Sequence, residues 1–467
     1  MRQPRYSEKL GWANETRPHV VVVIICLTLL LTLAFALLLD WQTTLLSVTA
    51  TVAIASLIFS VFRLIACLTP KPKNPETNSA IELPPYTVLV PLFDEANMVA
   101  DLIKGLERLD YPCERLQILL ICEAVDPETI AAVQAHLRPS FELIIVPKGT
   151  PQTKPRALNH AMQYASGALI TIYDAEDRPH PQQLRTAAMA FAARPDWQAL
   201  QAPLDYYNTH TNWLTQQFSL EYAALFHIWI PFLSRMSLPF PLGGTSNHMR
   251  REVLDAVGGW DPYNVTEDAD LSFRLALRPG KIGYIDVPTD EEAVANLADW
   301  RLQRARWIKG FMQSWGVHMS APFAPGGLRG IVRCFTLQVT LGFTLLSIWF
   351  YIPTLFILAL IFAYFQMQAI PIQVPPLYSF SFGLSIAVGI LIGMIGAYRA
   401  RKPQLILSAV FMPLYWVLLF RPAMRALWEL RYAPFHWHKT RHGVNPPPKL
   451  KTGDTAATPR EADGPAN

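Results

Sequence analysis

Charged residues are scarce in this chain. Only 16% of its 467 residues are Asp, Glu, Lys or Arg, against about 25% in typical soluble domains. Hydrophobic residues make up 51% of the chain, and the mean hydropathy is +0.20. This balance excludes an ordinary soluble protein and indicates that part of the chain lies in a membrane.

Cysteine is also rare and shows no pattern. The five cysteines have neither the paired spacing of a disulfide framework nor the spacing of zinc ligands. Free thiols in a reducing compartment are the simplest explanation. The net charge of +4 is small, and basic residues cluster beside apolar runs. This distribution favours contact with a lipid bilayer and predicts no nucleic-acid partner.

Apolar residues are concentrated toward the two ends of the chain. Residues 20–39 form a charge-free run of membrane-spanning length, and residues 43–62 form a second one after a short turn. We predict a transmembrane hairpin within residues 1–69. No small-residue cleavage site follows the first run, which disfavours a secretory signal peptide. Basic residues flank the hairpin but are absent from its turn, which places both flanks in the cytoplasm.

The carboxy-terminal third carries further apolar runs, at residues 334–365, 379–397 and 405–420. They predict a transmembrane bundle over residues 326–430 with three or four spans, because the first run is long and contains Pro353. Four spans leave Arg399, Arg401 and Lys402 on the outer side, against the positive-inside rule. The sequence leaves the count open.

Two segments have compositions that are typical of a linker and of a disordered tail. Residues 70–85 are polar and rich in proline, which predicts a linker. Residues 431–467 are first basic and then rich in proline, alanine, glycine and charge, which is typical of disorder.

Between these ends, residues 86–325 alternate short β-branched runs with helical patterns. Buried parallel strands are predicted at residues 86–91, 116–122, 141–147 and 168–173. Such alternation is typical of a parallel α/β sheet, in which ligands bind beyond the carboxyl ends of the strands. We expect Glu123, Asp126, Asp174 and Glu176 to meet there.

Acidic residues crowd the end of the fourth strand, in Asp174-Ala175-Glu176-Asp177. One or two carboxylates can hold Mg²⁺ or Mn²⁺ together with phosphate oxygens, and the cation neutralises a leaving diphosphate. Lys154 precedes a predicted helix, where a basic side chain suits a phosphate. A solvated acidic turn and a surface lysine would give the same local patterns. Glu123 could likewise bind a base or ribose, or serve only as a cap.

Thr266-Glu267-Asp268 begins another helical pattern. Asp268 can act as a general base that takes the proton of an acceptor hydroxyl, and direct displacement would invert the anomeric carbon without a covalent intermediate. Acids also favour the first turn of any helix, which is the simpler alternative. We expect the neighbouring Asp270 to face outward.

An arginine-rich stretch, which contains Gln303, Arg306 and Trp307, lies just before the carboxy-terminal bundle. Arg306 can bind a diphosphate bidentately, Trp307 offers a flat face to a sugar ring, and Gln303 can bond a hydroxyl. Snorkelling arginines and an interfacial tryptophan would give the same sequence.

Together these motifs resemble those of the processive family 2 glycosyltransferases, which are membrane synthases of the cellulose, hyaluronan and chitin synthase type. The resemblance covers about residues 86–310. It implies an α/β GT-A (Rossmann-like) cytosolic catalytic domain between amino-terminal and carboxy-terminal transmembrane helices. That family has a DxD motif for metal and diphosphate, a TED motif for the base and a QxxRW motif at a channel mouth.

The resemblance assigns roles residue by residue. It implies that Asp268 is the base, that the metal, Mg²⁺ or Mn²⁺, binds Asp174 with Glu176 or Asp177, and that the remaining residues bind substrates. For the nucleotide sugar these are Glu123, Asp126, Lys154, Asp174 and Arg306, and for the acceptor Gly244, Thr245, Glu267, Gln303 and Trp307. The usual second acid of the DxD motif is here Glu176 with Asp177 beside it, so the sequence does not decide between them.

A bacterial subgroup associated with exopolysaccharide is similar around residues 173–179 and 437–443. The resemblance implies an inverting, metal-dependent enzyme of the bacterial inner membrane, with its catalytic domain in the cytoplasm, that extends a β-linked polysaccharide from UDP-glucose or a similar nucleotide sugar and exports it. The alternative acceptor is a lipid, such as ceramide or a polyprenyl phosphate. A non-catalytic export scaffold is a third reading, which the complete motif set disfavours.

No domain that senses a cyclic dinucleotide is recognisable in the sequence, so regulation or export would need partner proteins. We also expect some bundle aromatics to line a sugar path, among them Trp349, Tyr351, Tyr415 and Trp416. A belt of interfacial aromatic residues is the alternative for each.

Overall fold

The structure is a computed structural model that describes residues 10–75, 82–366, 376–437, 439 and 443. Part of the predicted linker and most of the predicted tail lie outside the described residues. They include residues 438 and 440–442 of the late motif, which is the segment 437–443 that is similar to the exopolysaccharide subgroup. A short helix, Ala13–Thr16 (α1), precedes two long helices, Pro18–Leu39 (α2) and Trp41–Leu68 (α3), which are separated at Asp40. These long helices coincide with the two predicted amino-terminal spans.

A seven-stranded sheet forms the centre of the molecule. Its strands are Tyr86–Leu92 (β1), Leu116–Glu123 (β2), Phe141–Val146 (β3), Leu169–Ile172 (β4), Trp197–Gln201 (β6), Asn247–Arg250 (β8) and Lys281–Tyr284 (β9). The four strands predicted from the sequence are the first four, and they pair in parallel in the order β3-β2-β1-β4. The rest of the sheet is mixed, since β8 runs antiparallel to both β4 and β6, and β9 forms the edge.

A second sheet of three short strands lies beside the first. Its order is β5-β10-β7, from Arg178–Pro179 (β5), Leu204–Tyr206 (β7) and Thr289–Glu291 (β10). Strand β10 pairs in parallel with β7, and Glu291 is opposite Tyr206. This small sheet begins directly after the acidic segment at residues 174–177, so it forms a side wall of the region beyond the central strands.

Helices cover both faces of the central sheet because its strands are apolar on both sides; all of β1 except Pro91 is buried. The soluble helices are Val99–Leu106 (α4), Pro127–His136 (α5), Lys154–Ala161 (α6), Gln183–Ala193 (α7), Trp213–Ala224 (α8), Ile230–Arg235 (α9), Arg251–Val257 (α10), Glu267–Leu275 (α11) and Leu297–Met319 (α12). A π-helical turn, Leu225–Trp229, joins α8 to α9.

The carboxy-terminal apolar region forms Gly327–Leu337 (α13), Phe343–Gln366 (α14), Pro376–Arg399 (α15), Met412–Leu418 (α16) and Phe420–Tyr432 (α17). Pro353 lies inside α14, so the long apolar run forms one helix there. Within the described residues, four segments are long and apolar enough to span a membrane: Leu46–Leu68, Gly327–Phe356, Leu377–Arg399 and Pro403–Tyr432.

The last of these segments lies along the soluble domain. Directly before it, the ammonium of Lys402 pairs with Asp205 of β7. Near its end, Nζ of Lys309 on α12 is 3.0 Å from the carboxylate of Glu429 on α17. Both ends of this segment are therefore tied to residues of the soluble domain. Three of the four membrane-length segments lie in the carboxy-terminal region, within the three or four that the sequence allows.

Two of the basic residues that conflict with a four-span reading contact other parts of the protein. Nη2 of Arg399 donates to the carbonyl of Cys67 at 2.6 Å, at the end of α3, and Lys402 pairs with Asp205 of the soluble domain. For a soluble domain in the cytoplasm, as the sequence predicts, this placement agrees with the positive-inside rule.

Candidate active site

One cavity of about 1240 Å³ reaches from beyond the central strands into the membrane helices. Asp174, Asp268 and Trp307 all line it, although they come from distant parts of the sequence. Its membrane side is lined by one face of α3, between residues 52 and 63, and by α14 and α15. Soluble-domain motifs and membrane helices therefore enclose one common space.

Asp174 follows β4, and its carboxylate is held in place by Lys154. Nζ of Lys154 is 2.5 Å from Oδ1 of Asp174 and 2.8 Å from the carbonyl oxygen of Gly244. Lys154 is the first residue of α6, whereas the sequence predicted that it precedes the helix. The lysine charge is thus shared between the acidic segment, the loop at Gly244 and any phosphate that approaches the helix.

Asp177 stabilises the acidic segment through hydrogen bonds to its backbone and to a neighbouring loop. One of its oxygens, Oδ2, accepts from the backbone amide of Asp174 at 2.7 Å and from the hydroxyl of Thr245. Asp177 is buried and is not among the cavity-lining residues, whereas Glu176 is. Burial, and then the charge of Asp174, raises the pKa of Glu176 to about 7.

This acidic segment fits a divalent cation. Within the described residues, no group of three or more His, Cys, Asp or Glu side chains could hold a metal ion alone. A cation that takes several of its ligands from a nucleotide, however, needs only one or two carboxylates from the protein. Glu176 and Asp174 face the cavity, and the raised pKa of Glu176 reflects buried negative charge that a cation would neutralise.

Asp268 lies in the first turn of α11. Its Oδ1 accepts from the backbone amide of Ala269 at 2.8 Å. Gly244 is close to the other oxygen, since a Cβ at that glycine would be 3.5 Å from Oδ2 of Asp268. Burial raises the pKa of Asp268, although Lys154 and Arg306 oppose this rise. A carboxylate with a raised pKa is a better proton acceptor for a hydroxyl near neutral pH.

The expectation that Asp270 faces outward is wrong. Asp270 is fully buried, 2.5 Å from Nε of Arg274 and 3.0 Å from Nε2 of His318. Its position on α11 does not reveal this, because His318 comes from the end of α12. Asp270 therefore helps to join α11 to α12 inside the domain.

Helix α12 presents Gln303, Arg306 and Trp307 to the cavity. The ring of Trp307 stacks on Tyr222 with centroids 6.3 Å apart and planes at 29°. The guanidinium of Arg306 lies 5.3 Å from the ring of Trp437, and Oε1 of Gln303 is buried without a hydrogen-bond partner among the described residues. These groups offer a flat aromatic face, a cation and an acceptor to a ligand.

Glu123 and Asp126 have different surroundings. Glu123 lines the cavity and pairs with Arg156 at 2.6 Å. Asp126 caps α5, since Oδ1 accepts from the amide of Thr129 at 3.1 Å and Oδ2 from that of Asp94 at 2.5 Å. Both oxygens of Asp126 are thus engaged in local structure, away from the cavity wall.

Several cavity residues were not predicted from the sequence. Glu291 on β10 is one, and Lys439 beyond the bundle is another. Nζ of Lys439 is 3.1 Å from the carboxylate of Glu95, another residue that lines the cavity. The sequence signal for Lys439 was the late motif at residues 437–443, but no pattern distinguished Glu291 from other acids.

Of the four bundle aromatics that were expected near a sugar path, two line the cavity and two do not. Tyr351 and Trp416 line the cavity. Trp349 packs against a different hydrophobic cluster, beside α12 and α17. Tyr415 is buried, and its hydroxyl donates to the carboxylate of Glu221 at 2.7 Å.

Comparison with known proteins agrees with this architecture. Residues 169–424, more than half of the chain, match the family described as "Glycosyl transferase family group 2". The mannosyltransferase PcManGT from Pyrobaculum calidifontis, solved with GDP-Man and Mn²⁺, has a similar fold, with a TM-score of 0.52 and 18% identity over 79% of this chain and 97% of that one.

Curated relatives are similar over half of the chain. The β-monoglucosyldiacylglycerol synthase of Synechocystis sp. is 28% identical over 243 residues, 50% of this chain and 49% of the relative. The glucomannan 4-β-mannosyltransferase 1 of Oryza sativa is 25% identical over 251 residues, 51% of this chain and 47% of the relative. The chain thus spans about half the length of each.

The mixed sheet, with acids at the ends of its strands, defines a glycosyltransferase with a GT-A-like fold flanked by membrane-length helices. The chain belongs to glycosyltransferase family 2.

Proposed function

We propose that this enzyme transfers a sugar, with inversion, from a nucleotide sugar to an acceptor that lies in the membrane-facing cavity. The observation that carries the proposal is the shared cavity of Asp174, Asp268 and Trp307. It gives one substrate a donor-side acid, a base and an aromatic platform. The enzyme would sit in the bacterial inner membrane with its soluble domain in the cytoplasm, where nucleotide sugars are made.

In this mechanism Asp268 accepts the proton of the acceptor hydroxyl. The hydroxyl oxygen attacks the anomeric carbon as the bond to the nucleotide diphosphate breaks, and a single displacement inverts that carbon. Arg306 and Lys154 balance the charge of the departing diphosphate. Trp307 orients a sugar ring by contact with its apolar face, and Gln303 bonds one of its hydroxyls.

Glu176 and Asp174 would hold the Mg²⁺ or Mn²⁺ ion, with Asp177 supporting their loop. The cation supplies charge neutralisation at the diphosphate. Thr245 and Gly244 would then shape the acceptor side, since they lie between Asp177 and Asp268.

For the acceptor we favour a growing β-linked polysaccharide. Lining residues on α3 extend over residues 52–63, a depth of about 16 Å at 1.5 Å per residue. Hydroxyl and aromatic side chains lie along this wall, among them Ser56, Ser60, Tyr351, Ser385 and Trp416. Such groups suit a sugar chain that leaves the catalytic region toward the bilayer.

A lipid acceptor is the second candidate. It is favoured by the relatives named as β-monoglucosyldiacylglycerol synthases and by the many apolar residues among those that line the membrane part of the cavity. A lipid hydroxyl could reach Asp268 by the same route that a sugar chain would use. The two candidates share donor, base and cation, and differ only in the acceptor.

The test is a panel of donors with purified full-length protein and Mg²⁺ or Mn²⁺. UDP-glucose, UDP-N-acetylglucosamine and GDP-mannose are supplied in turn, and release of the nucleotide diphosphate is measured. We expect one donor to be turned over, and radiolabelled product to run as a polymer on a gel. A product that extracts into organic solvent as a single glycolipid would favour the second candidate. No release with any nucleotide sugar would refute the proposal.

A further inference from the structure

Glu291 lines the cavity but has no role in the mechanism proposed above. It ends β10, where it is opposite Tyr206 of β7, and its backbone carbonyl accepts from the amide of Tyr207 at 3.1 Å. Its side chain lines the same cavity as Asp174, Asp268 and Trp307. The backbone is therefore fixed by the small sheet while the carboxylate faces the substrate space.

Within the described part of the chain, no hydrogen bond or ion pair to a protein group reaches the carboxylate of Glu291. This is unusual among the cavity acids: Asp174 has Lys154, and Glu123 has Arg156. Glu291 is half-buried, so a ligand that reaches the cavity and supplies hydrogen bonds to its carboxylate would be favoured there.

The neighbours of Glu291 indicate what kind of ligand this is. Tyr206, Tyr222 and Trp307 form a run of aromatic rings along the cavity, with centroids of the two tyrosines 4.4 Å apart. Glu291 is opposite Tyr206 in the β10–β7 pair, and side chains opposite each other in paired strands share one face, so Glu291 lies beside this run. An aromatic face with a carboxylate at its edge can bind the apolar face and the hydroxyls of one sugar ring.

Strand β10 also pairs with β5, with Thr289 opposite Pro179 and Asp290 opposite Arg178, directly after the acidic segment at residues 174–177. Glu291 therefore continues this strand toward the donor-side acids. A carboxylate accepts hydrogen bonds from hydroxyl groups, whereas its charge repels an anion such as phosphate.

We propose that Glu291 is a specificity-determining residue that bonds hydroxyl groups of the donor sugar, while the nucleotide and diphosphate are held elsewhere. The inference rests on the proposed function, because it presumes a nucleotide-sugar donor. If a residue of the small sheet recognises the sugar, then mutation should separate recognition of the sugar from recognition of the nucleotide.

The experiment measures equilibrium binding to the full-length protein with Mg²⁺. UDP-glucose and GDP-mannose are titrated, and then UDP and GDP, which lack the sugar. Glu291→Gln should weaken the sugar nucleotide bound by the wild type about 10- to 100-fold, the worth of a hydrogen bond to a charged group, and leave the matching diphosphate unchanged. Glu291→Asp keeps the charge, shortens the side chain and should give a smaller loss.

Asp290→Asn is the matched control, since Asp290 is the exposed neighbour on the same strand, where successive side chains point to opposite faces. It should bind all four ligands as the wild type does. Deoxy analogues of the sugar nucleotide locate the contact, because one of them should lose the difference between wild type and Glu291→Gln.

Two results would overturn the inference: equal weakening of sugar nucleotide and diphosphate in Glu291→Gln, or no change in either. Both differ from failure of the proposed function, in which the wild type itself releases no nucleotide diphosphate from any donor in the panel.

Discussion

The carboxylate of Asp268 is fixed by its own helix, through the amide of Ala269, and faces a loop that has no side chain at Gly244. This leaves one oxygen directed toward open space beside the donor-side acids. A residue so placed can take a proton without any rearrangement of the backbone. Its role can therefore be tested by a substitution that keeps its shape.

Asp268→Asn should lower the transfer rate about 10²- to 10⁴-fold, because an amide cannot accept the proton. Binding of the nucleotide diphosphate should persist, since the donor-side residues are unchanged. Initial rates of diphosphate release and a binding titration measure the two quantities. A rate near that of the wild type would show that another group is the base.

Substitutions in the acidic segment should separate the cation ligands from their support. Asp174→Asn and Glu176→Gln should raise the Mn²⁺ concentration needed for half-maximal nucleotide binding, because each removes a charge that faces the cation. Asp177→Asn should instead lower the melting temperature, because Asp177 holds the loop through Thr245 and the amide of Asp174. An unaltered Mn²⁺ requirement in Glu176→Gln would exclude it as a ligand.

Local sequence motifs predicted several residues that line the cavity. The role of the other acidic residues depends on the groups they contact in the fold. Asp174, Asp268 and Trp307 were found because their local motifs resemble a family. Asp126 and Asp270 have the same acidic chemistry, yet one caps a helix and the other is buried against His318. Those partners are distant in sequence or depend on backbone geometry, so no local pattern reveals them.

At the scale of elements, hydropathy located the apolar helices, but it does not show which of them cross the bilayer. The predicted run at residues 405–420 is apolar, but the structure lays it along the soluble domain. Its exposed side chains recur at helical spacing, as in Leu407, Val410, Phe411 and Leu414. One apolar face with a protein-bound opposite face is typical of a helix that lies in the membrane interface.

This topology can be measured by cysteine labelling in a variant without the five native cysteines. Gln404→Cys and Arg421→Cys flank the predicted run, and both should react with an impermeant reagent only from the side of the soluble domain. Asp40→Cys, in the turn between α2 and α3, should react from the opposite side. Labelling of positions 404 and 421 from opposite sides would prove a crossing.

At the scale of the whole molecule, stability should depend on pH through Asp261. Burial, and then the charge of Asp270, raises its pKa to about 7. An unfolded aspartate has a pKa of about 3.9. Protonation of Asp261 therefore stabilises the folded state, and this stabilisation is complete below about pH 4. The stabilisation is lost as the pH rises from about 4 through 7.

The melting temperature of the purified protein should therefore fall over this pH range, and Asp261→Asn should fall less steeply. The neutral amide has one acceptor oxygen and can keep only one of the two contacts of Asp261, with the amide of Ala13 or with that of Tyr263. The comparison therefore uses the pH slope of each protein rather than its absolute melting temperature. A parallel pH profile in wild type and variant would assign the effect to other groups.

One hydrophobic core runs without a break from the soluble domain into the membrane. The same cluster contains Leu158 and Trp260 of the soluble domain, Ala66 of α3 and Val388 of α15. Excising residues 86–325 as a water-soluble fragment would strip apolar side chains of their packing partners. Biochemists who want the enzyme in solution will have to carry its helices along, in detergent or nanodiscs, rather than cut them away.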